Sequence, residues 1–305
     1  MKVLITGFTG FVGRALLVKS SARFDSVVGT TRQNIGELEE EFPENVKVVQ
    51  APPFDHSEWG EILSGTDVVV HCAARVHQVR DQAKDPLAEF RRINRDGTAS
   101  LARYAAEAGV MRFVFISTIK VNGEKTLSGF PFTSGDFPNP TSPYGISKLE
   151  GEVALKAIAE EFGMEWVIIR PPLVYGAAAK GNLALLEKMA QIGVPFPLGG
   201  MENRRSLVSL DHLVEIICTA VERPQVKNSV LLACDREPVS TVQIYRRVCQ
   251  NAGKQARVIT LPGFMRGWLM WVLKKMGLYE KLLGSLEIDS EDLYRKLGWK
   301  TGSEK

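Results

Sequence analysis

Cysteine and histidine are scarce in this chain: four of each among 305 residues. Cys72, Cys218, Cys234 and Cys249 show no CxxC pair and no metal-ligand spacing. A disulfide framework and a structural zinc site are thereby excluded, no metal is expected, and a reduced, cytoplasmic protein is the expectation. Excess charge is scarce too. Lys and Arg outnumber Asp and Glu by only three, so no polybasic footprint argues for nucleic acid. No apolar run is long enough to cross a bilayer, and no membrane insertion is expected. The most apolar late stretch, Phe264 to Leu273, contains Arg266 and is followed by Lys274 and Lys275, too short and too charged to span. It reads as a core or lobe helix, with a membrane-surface helix as the alternative. No repeat, low-complexity tract or flexible linker is visible. The first residues, Met1 to Gly7, already read as strand, so no signal peptide is expected. At this length the chain makes one large α/β unit or two unequal lobes.

What is present is an alternation of strand-like and helix-like segments. Val3–Ile5, Val27–Thr30, Val46–Val49, Asp67–Ala74, Phe113–Thr118 and Trp166–Arg170 are near-continuous apolar runs. Such runs mark strands buried on both faces of a parallel sheet. Helical patterns lie between them at Gly13–Ser21, Pro86–Gly109 and Ser147–Phe162. That rhythm predicts a doubly wound α/β fold with its site at the carboxyl ends of the strands. After Pro171 the rhythm breaks. Helices are predicted near Leu183–Ile192 and Leu210–Val221, a strand at Val230–Ala233, and mostly helix from Thr241 onward.

The first strand runs into the turn Thr6-Gly7-Phe8-Thr9-Gly10-Phe11-Val12-Gly13. Gly7 permits the sharp turn, Gly10 lets the backbone approach a pyrophosphate, and Gly13 lets the helix pack close to the strand. The helix N-terminus then presents free N–H groups to phosphate. A dinucleotide site is the reading. A second signal is Tyr144-Gly145-Ile146-Ser147-Lys148, with Ser142-Pro143 supplying a helix start. Residues four apart share a helix face, so a Lys148 ammonium beside the Tyr144 phenol would lower its pKa and make it an acid/base. Ser117-Thr118, ending the fifth strand, adds hydroxyls at the crevice.

Together these segments resemble the extended short-chain dehydrogenase/reductases, in the branch acting on nucleotide sugars. The resemblance rests on TGFTGFVG (Thr6 to Gly13), HCAA (His71 to Ala74), NRDGT (Asn94 to Thr98), FVFIST (Phe113 to Thr118), YGISK (Tyr144 to Lys148), RPPLVYG (Arg170 to Gly176) and RRSLVSLDHLV (Arg204 to Val214). RVHQ, STIKVNGE and NRRSLVSLDHLV are similar to bacterial members of surface-polysaccharide synthesis, either UDP-glucose 4-epimerase-like or UDP-4-keto-6-deoxy-sugar 4-reductase-like. The resemblance implies a Rossmann sheet with a smaller, mostly helical C-terminal substrate lobe. The cofactor domain would be 1–175 with a return segment of about 206–235, and the lobe 176–205 and 236–305. It implies Tyr144 as acid/base, Lys148 as its partner on the nicotinamide ribose, and Thr118 on the reacting sugar oxygen. Ser117 would face the cofactor, Asn94 would support the site through its helix and water, and Pro171 and Val174 would lie near the nicotinamide. Ala73 and Ala74 would line the cofactor crevice. Asn182 and Arg205 would hold the UDP moiety, Arg205 by its diphosphate, a match for a guanidinium fork. A homodimer through helices near Asp96–Gly109 and Ser147–Phe162 is implied as well.

The pattern departs from the family in places. The second strand ends Gly29-Thr30-Thr31-Arg32 with no carboxylate for ribose hydroxyls, and Arg32 suits a 2′-phosphate. These residues favour NADP(H), with NAD(H) as the alternative. Asp55 is displaced from the usual adenine-side position. His71 reads as a satisfied core residue, Cys72 as a small packer, and Arg75 and His77 as loop or substrate contacts. Ile119-Lys120 follows Thr118 where dehydratases carry Asp-Glu, against a dehydratase. The expected chemistry is NADPH-dependent reduction of a 4-keto-6-deoxy UDP-sugar. The alternatives are a UDP-hexose or UDP-N-acetylhexosamine 4-epimerase holding NAD, and a non-enzymatic regulatory or RNA-binding Rossmann protein.

Overall fold

A computed structural model of the chain describes residues 1–36, 42–76, 85–127, 129–176, 182–193, 195–277 and 279–299. Its centre is a parallel sheet of β1 (Lys2–Thr6), β2 (Ser26–Thr31), β3 (Val46–Gln50), β4 (Val68–His71), β5 (Arg112–Ile116), β6 (Glu165–Arg170) and β9 (Ser229–Leu232). The strand order is β3-β2-β1-β4-β5-β6-β9, every pair parallel. Chain direction across the sheet reverses between β1 and β4, the switch point at which doubly wound folds open a ligand crevice. Two short strands, β7 (Leu173–Tyr175) and β8 (Leu207–Ser209), form a separate parallel pair.

The apolar strands alternate between two cores because successive side chains point to opposite faces. Val3, Ile5, Val114, Val167 and Ile169 face one core with Leu16 and Leu17 of α1 (Phe11–Ser21) and Leu213 to Val221 of α7 (Leu210–Glu222). Leu4, Phe113, Phe115 and Ile168 face the other. There they meet α2 (Trp59–Leu63), α4 (Gly97–Glu107) and α5 (Pro143–Phe162). A third apolar cluster joins α6 (Asn182–Ile192), α8 (Thr241–Asn251) and α9 (Gly263–Lys275) with the segment holding Phe196, Leu198 and Met201. The short α10 (Tyr279–Leu283) closes this group. The last helix, α11 (Glu291–Leu297), differs from the expected assignment of 236–305 to the lobe: Leu293, Tyr294 and Leu297 insert into the sheet core beside α7.

Two local differences from the sequence reading concern the site. The helix expected over Pro86–Gly109 is instead α3 (Pro86–Arg91), a π-helical turn at Arg92–Asp96, and then α4. The widened turn carries the Asn94 carbonyl to α5, where a Cβ on Gly151 would stand 2.4 Å from that oxygen. The Thr98 hydroxyl donates to the same carbonyl at 2.7 Å. The fifth strand also stops at Ile116 and does not reach Thr118. The Thr118 hydroxyl accepts the Lys120 N–H and starts a 3₁₀ turn, Ile119–Val121. Helix α5 begins as the Ser142-Pro143 pair predicts, with the Ser142 hydroxyl accepting from Gly145 N–H, and it ends at Gly163 in the left-handed region (φ 72°). Tyr144 therefore lies in its first turn.

Candidate active site

The glycine turn fits its expected role by close approach of backbone. Gly7 has φ 69°, and a Cβ there would stand 2.7 Å from the Ala73 Cα. A Cβ on Gly13 would stand 2.4 Å from the Gly7 carbonyl oxygen. These contacts draw the end of β4 and the start of α1 onto the β1 turn. Gly10 is different: it is exposed, and a Cβ there would meet only the Gly7 oxygen, at 3.2 Å. No side chain caps the α1 N-terminus. The first-turn N–H groups and helix dipole face this open side, an arrangement that fits a dinucleotide pyrophosphate. Phe8 contributes backbone alone, since its ring is buried edge-on to Phe42 at 5.9 Å. Phe11 packs into the third cluster and Val12 against the first core. Thr9 and Thr31 bring their hydroxyls to 3.3 Å of each other. Arg32, just beyond, is exposed.

A chain of contacts runs from this turn to the YxxxK helix. The Thr6 hydroxyl accepts the Ala73 N–H at 3.2 Å and lies 2.7 Å from His71 Nδ1. The His71 ring stacks on Phe115 at 5.6 Å, and the Lys148 Nζ sits 4.1 Å from the centroid of that same Phe115 ring. His71 is only half satisfied: among the described residues its buried Nε2 has no partner. Burial, then the nearby Lys148 charge, pushes the His71 pKa down to about 3, so the ring is neutral. Burial pushes the Cys72 thiol up to about 12, which leaves it inert as a nucleophile.

Helix α5 sets its first turn, which holds Tyr144, against the segment that follows Thr118. A Cβ on Gly145 would stand 2.9 Å from the Lys120 carbonyl oxygen, so the first turn of α5 packs directly on the turn that follows Thr118. Thr118 is buried and uses its oxygen as an acceptor for Lys120 N–H. The Tyr144 ring is half-buried against Phe90 at 5.9 Å. Burial pushes the Tyr144 phenol up to about 12 and the Lys148 ammonium down to about 7, so the pair by itself does not hold the phenolate form. The Lys148 stem is enclosed, its head lies over an aromatic face, and Glu152, one turn on, only partly offsets the lost hydration.

Beneath these residues lies a buried polar network that the sequence reading did not name. Arg170 donates to Glu152 Oε1 and Oε2 at 2.9 and 2.5 Å and to Asn122 Oδ1 at 2.9 Å. The Ser117 hydroxyl donates to Glu152 Oε1 at 2.5 Å, so Ser117 points into this network. The available signals were Glu152 continuing the i, i+4 face of Tyr144 and Lys148, and a lone arginine ending an apolar strand. Asn94 clamps the chain after β4 from both sides. Its Oδ1 accepts Arg75 N–H at 2.9 Å, and its Nδ2 donates to the Arg75 carbonyl and the Ser147 hydroxyl, each at 3.0 Å. These are direct bonds to the loop after β4 and to the YxxxK helix. The Pro171 carbonyl accepts Ile119 N–H at 3.0 Å, and Val174 pairs with Val208. Tyr175 donates to Asp235 at 2.8 Å, and Asp235 also meets His212 Nδ1 at 2.7 Å, tying β7 to the loop after β9. Arg205 turns one guanidinium nitrogen to the carbonyls of Glu280 and Gly284, at 3.2 and 2.8 Å. Burial lowers its pKa. Ala74 lies half-buried beside Ala73. Asn182 opens α6, but its side chain, like all of His77, lies outside the described residues. No group of His, Cys, Asp and Glu among the described residues could hold a metal ion.

Comparison with known proteins agrees with this geometry. The model of the NAD dependent epimerase/dehydratase family matches residues 3–232. A relative from Vibrio cholerae, "UDP-glucose 4-epimerase", is 37% identical over 299 residues, covering 98% of this chain and 90% of the relative. The chain belongs to the NAD dependent epimerase/dehydratase family. It is an enzyme of the extended short-chain dehydrogenase/reductase type, in the nucleotide-sugar group of epimerases, dehydratases and reductases. Two solved structures share the fold. The UDP-glucose 4-epimerase of Thermotoga maritima with UDP-glucose has a TM-score of 0.77 at 23% identity, covering 100% of this chain and 94% of that one. The UDP-glucuronic acid 4-epimerase of Bacillus cereus in complex with NAD has a TM-score of 0.77 at 21% identity, covering 100% and 92%. Among the described residues no helix is long and apolar enough to cross a membrane.

Proposed function

We propose that this enzyme is a 4-epimerase of a UDP-hexose or UDP-N-acetylhexosamine that holds NAD(H). The observation that carries the reading is the 37% identity to the Vibrio cholerae UDP-glucose 4-epimerase across nearly the whole chain. Gly7, Gly10, Gly13 and the start of α1 would hold the pyrophosphate, with Thr31, Ala73 and Lys148 along the rest of the dinucleotide. Bound there, the dinucleotide would supply the hydride acceptor and donor for carbon 4. Tyr144 takes the proton of the sugar 4-hydroxyl as the carbon is oxidised and returns it as the carbon is reduced on its other face. Thr118 donates its hydroxyl hydrogen to the same oxygen and fixes its position. Lys148, charged when an anionic partner offsets its burial, stabilises the phenolate form of Tyr144. Asn94 positions the strand-end loop. The segments 176–205 and 236 to about 289 form the substrate lobe, with Asn182 and Arg205 toward the UDP moiety.

One observation favours a second reading. No carboxylate ends β2, and Arg32 is exposed there, which suits NADPH and a reductase of a 4-keto UDP-sugar. Mass spectrometry of dinucleotide released from the purified protein, with a UDP-glucose to UDP-galactose assay, separates the two. Stoichiometric NAD and isomerisation without added cofactor is the expected result. An empty protein that consumes NADPH on a 4-keto UDP-sugar, and isomerises nothing, overturns it.

A further inference from the structure

Helix α9 carries its largest side chains outward. Phe264, Trp268 and Trp271 are 81%, 66% and 59% exposed, and their i, i+4, i+7 spacing places them on one face. Leu273 is buried, and Leu269 and Met270 are partly buried against the third cluster, so the helix is anchored by its opposite side. A contiguous exposed aromatic face of this kind marks an interaction surface. Helix α9 itself carries Arg266, Lys274 and Lys275 and no Asp or Glu, the next acid along the chain being Glu280 of α10. From Pro238 to Tyr279 the chain has seven Lys and Arg and no Asp or Glu, while the remainder has 31 against 35. Lys275 sits on the aromatic face itself, its Nζ 5.1 Å from the Trp271 ring.

We propose that α9 is a docking helix through which this enzyme adsorbs to an anionic lipid surface. Phe264, Trp268 and Trp271 would lie at the boundary of headgroups and acyl chains, and Lys274 and Lys275 would meet lipid phosphates. Indole and phenyl rings flanked by basic side chains are the residues that partition there. At thirteen residues α9 is roughly 20 Å long, which suits lying in the interface and not crossing it. A second copy on the same face would oppose like charges with no acid on this segment to offset them, which makes an anionic bilayer the better complement. The inference does not depend on which sugar nucleotide the site takes.

Co-sedimentation of the full chain with phosphatidylcholine–phosphatidylglycerol vesicles, with tryptophan emission followed, tests it. Binding with a blue shift is expected, weakening with salt and weak on phosphatidylcholine alone. Lys274→Gln with Lys275→Gln should lower binding about 25-fold, roughly fivefold for each charge. Trp268→Ser with Trp271→Ser should abolish it while far-ultraviolet circular dichroism and sedimentation velocity stay unchanged. Failure to bind the anionic vesicles at low salt, or equal binding by both double variants, overturns the proposal. So does self-association of the parent chain that the tryptophan substitutions dissolve, which would assign this face to a second copy.

Discussion

Lys148 gives the sharpest test of the electrostatics. Its pKa falls from 10.5 to about 7 because the ammonium is buried. Between these values the folded chain holds one proton fewer than the unfolded chain at this position. Stability therefore rises with pH across that window, by up to about 1.4 kcal/mol per pH unit. Below the folded value both states are protonated and the penalty is fully present; above 10.5 it is gone. From pH 7.5 to 9.0 the group should add about 2 kcal/mol to the unfolding free energy. Lys148→Met keeps an apolar body of similar length in the same space and removes the proton. Urea unfolding of both proteins at the two pH values isolates the effect, since the folded Cys72 thiol and His71 ring, the neighbours that feel Lys148, stay neutral across this window in each. The gap in stability between variant and parent should shift by about 2 kcal/mol, the parent gaining as pH rises. Parallel curves would show that Lys148 stays protonated when folded, and the argument from burial over Phe115 would fail.

Tyr144→Phe should keep the fold and lose about 10²–10⁴-fold in turnover, while Thr118→Ala loses less because it removes an orienting bond; a Tyr144→Phe enzyme with near-normal turnover removes the phenol from the chemistry. Glu152→Ala leaves the buried Arg170 guanidinium without its carboxylate and should cost about 3–5 kcal/mol in urea unfolding, with Ser117 losing its partner; a loss of under about 1 kcal/mol, the scale of an exposed pair, would mean that the pair is solvated. Gly13→Ala drives a methyl against the Gly7 carbonyl, where 2.4 Å is available, and should cost about 1–3 kcal/mol of stability and most dinucleotide affinity by calorimetry. Arg205→Ala removes the bonds to the Glu280 and Gly284 carbonyls, so a raised Michaelis constant should come with a loss of about 1–3 kcal/mol of stability; unchanged values of both would leave Arg205 without either role.

The sequence by itself determined the elements whose physics is local. Continuous apolar runs between glycine and helix signals specified the parallel sheet, and Ser142-Pro143 placed Tyr144 at a helix start, because burial on two faces and capping leave direct marks in residue order. The spacing of Gly7, Gly10 and Gly13 likewise stated where backbone must approach backbone. Only the tertiary structure decided what depends on partners distant in the chain. Asn94 gained its role from Arg75 and Ser147, and its π-helical turn from Gly151 on another helix. Thr118 left the strand because its hydroxyl capped a turn. The protonation of Tyr144 and Lys148 depends on more than their spacing, since four residues on a helix face set proximity but enclosure sets the dielectric. The apolar stretch at Phe264 to Leu273 read from composition as a core or lobe helix, with a membrane-surface helix as the alternative; the lobe uses only one of its faces, for Leu269, Met270 and Leu273, and its aromatics are left outside. Composition measures how apolar a helix is; which neighbours arrive to cover it is a property of the assembled fold.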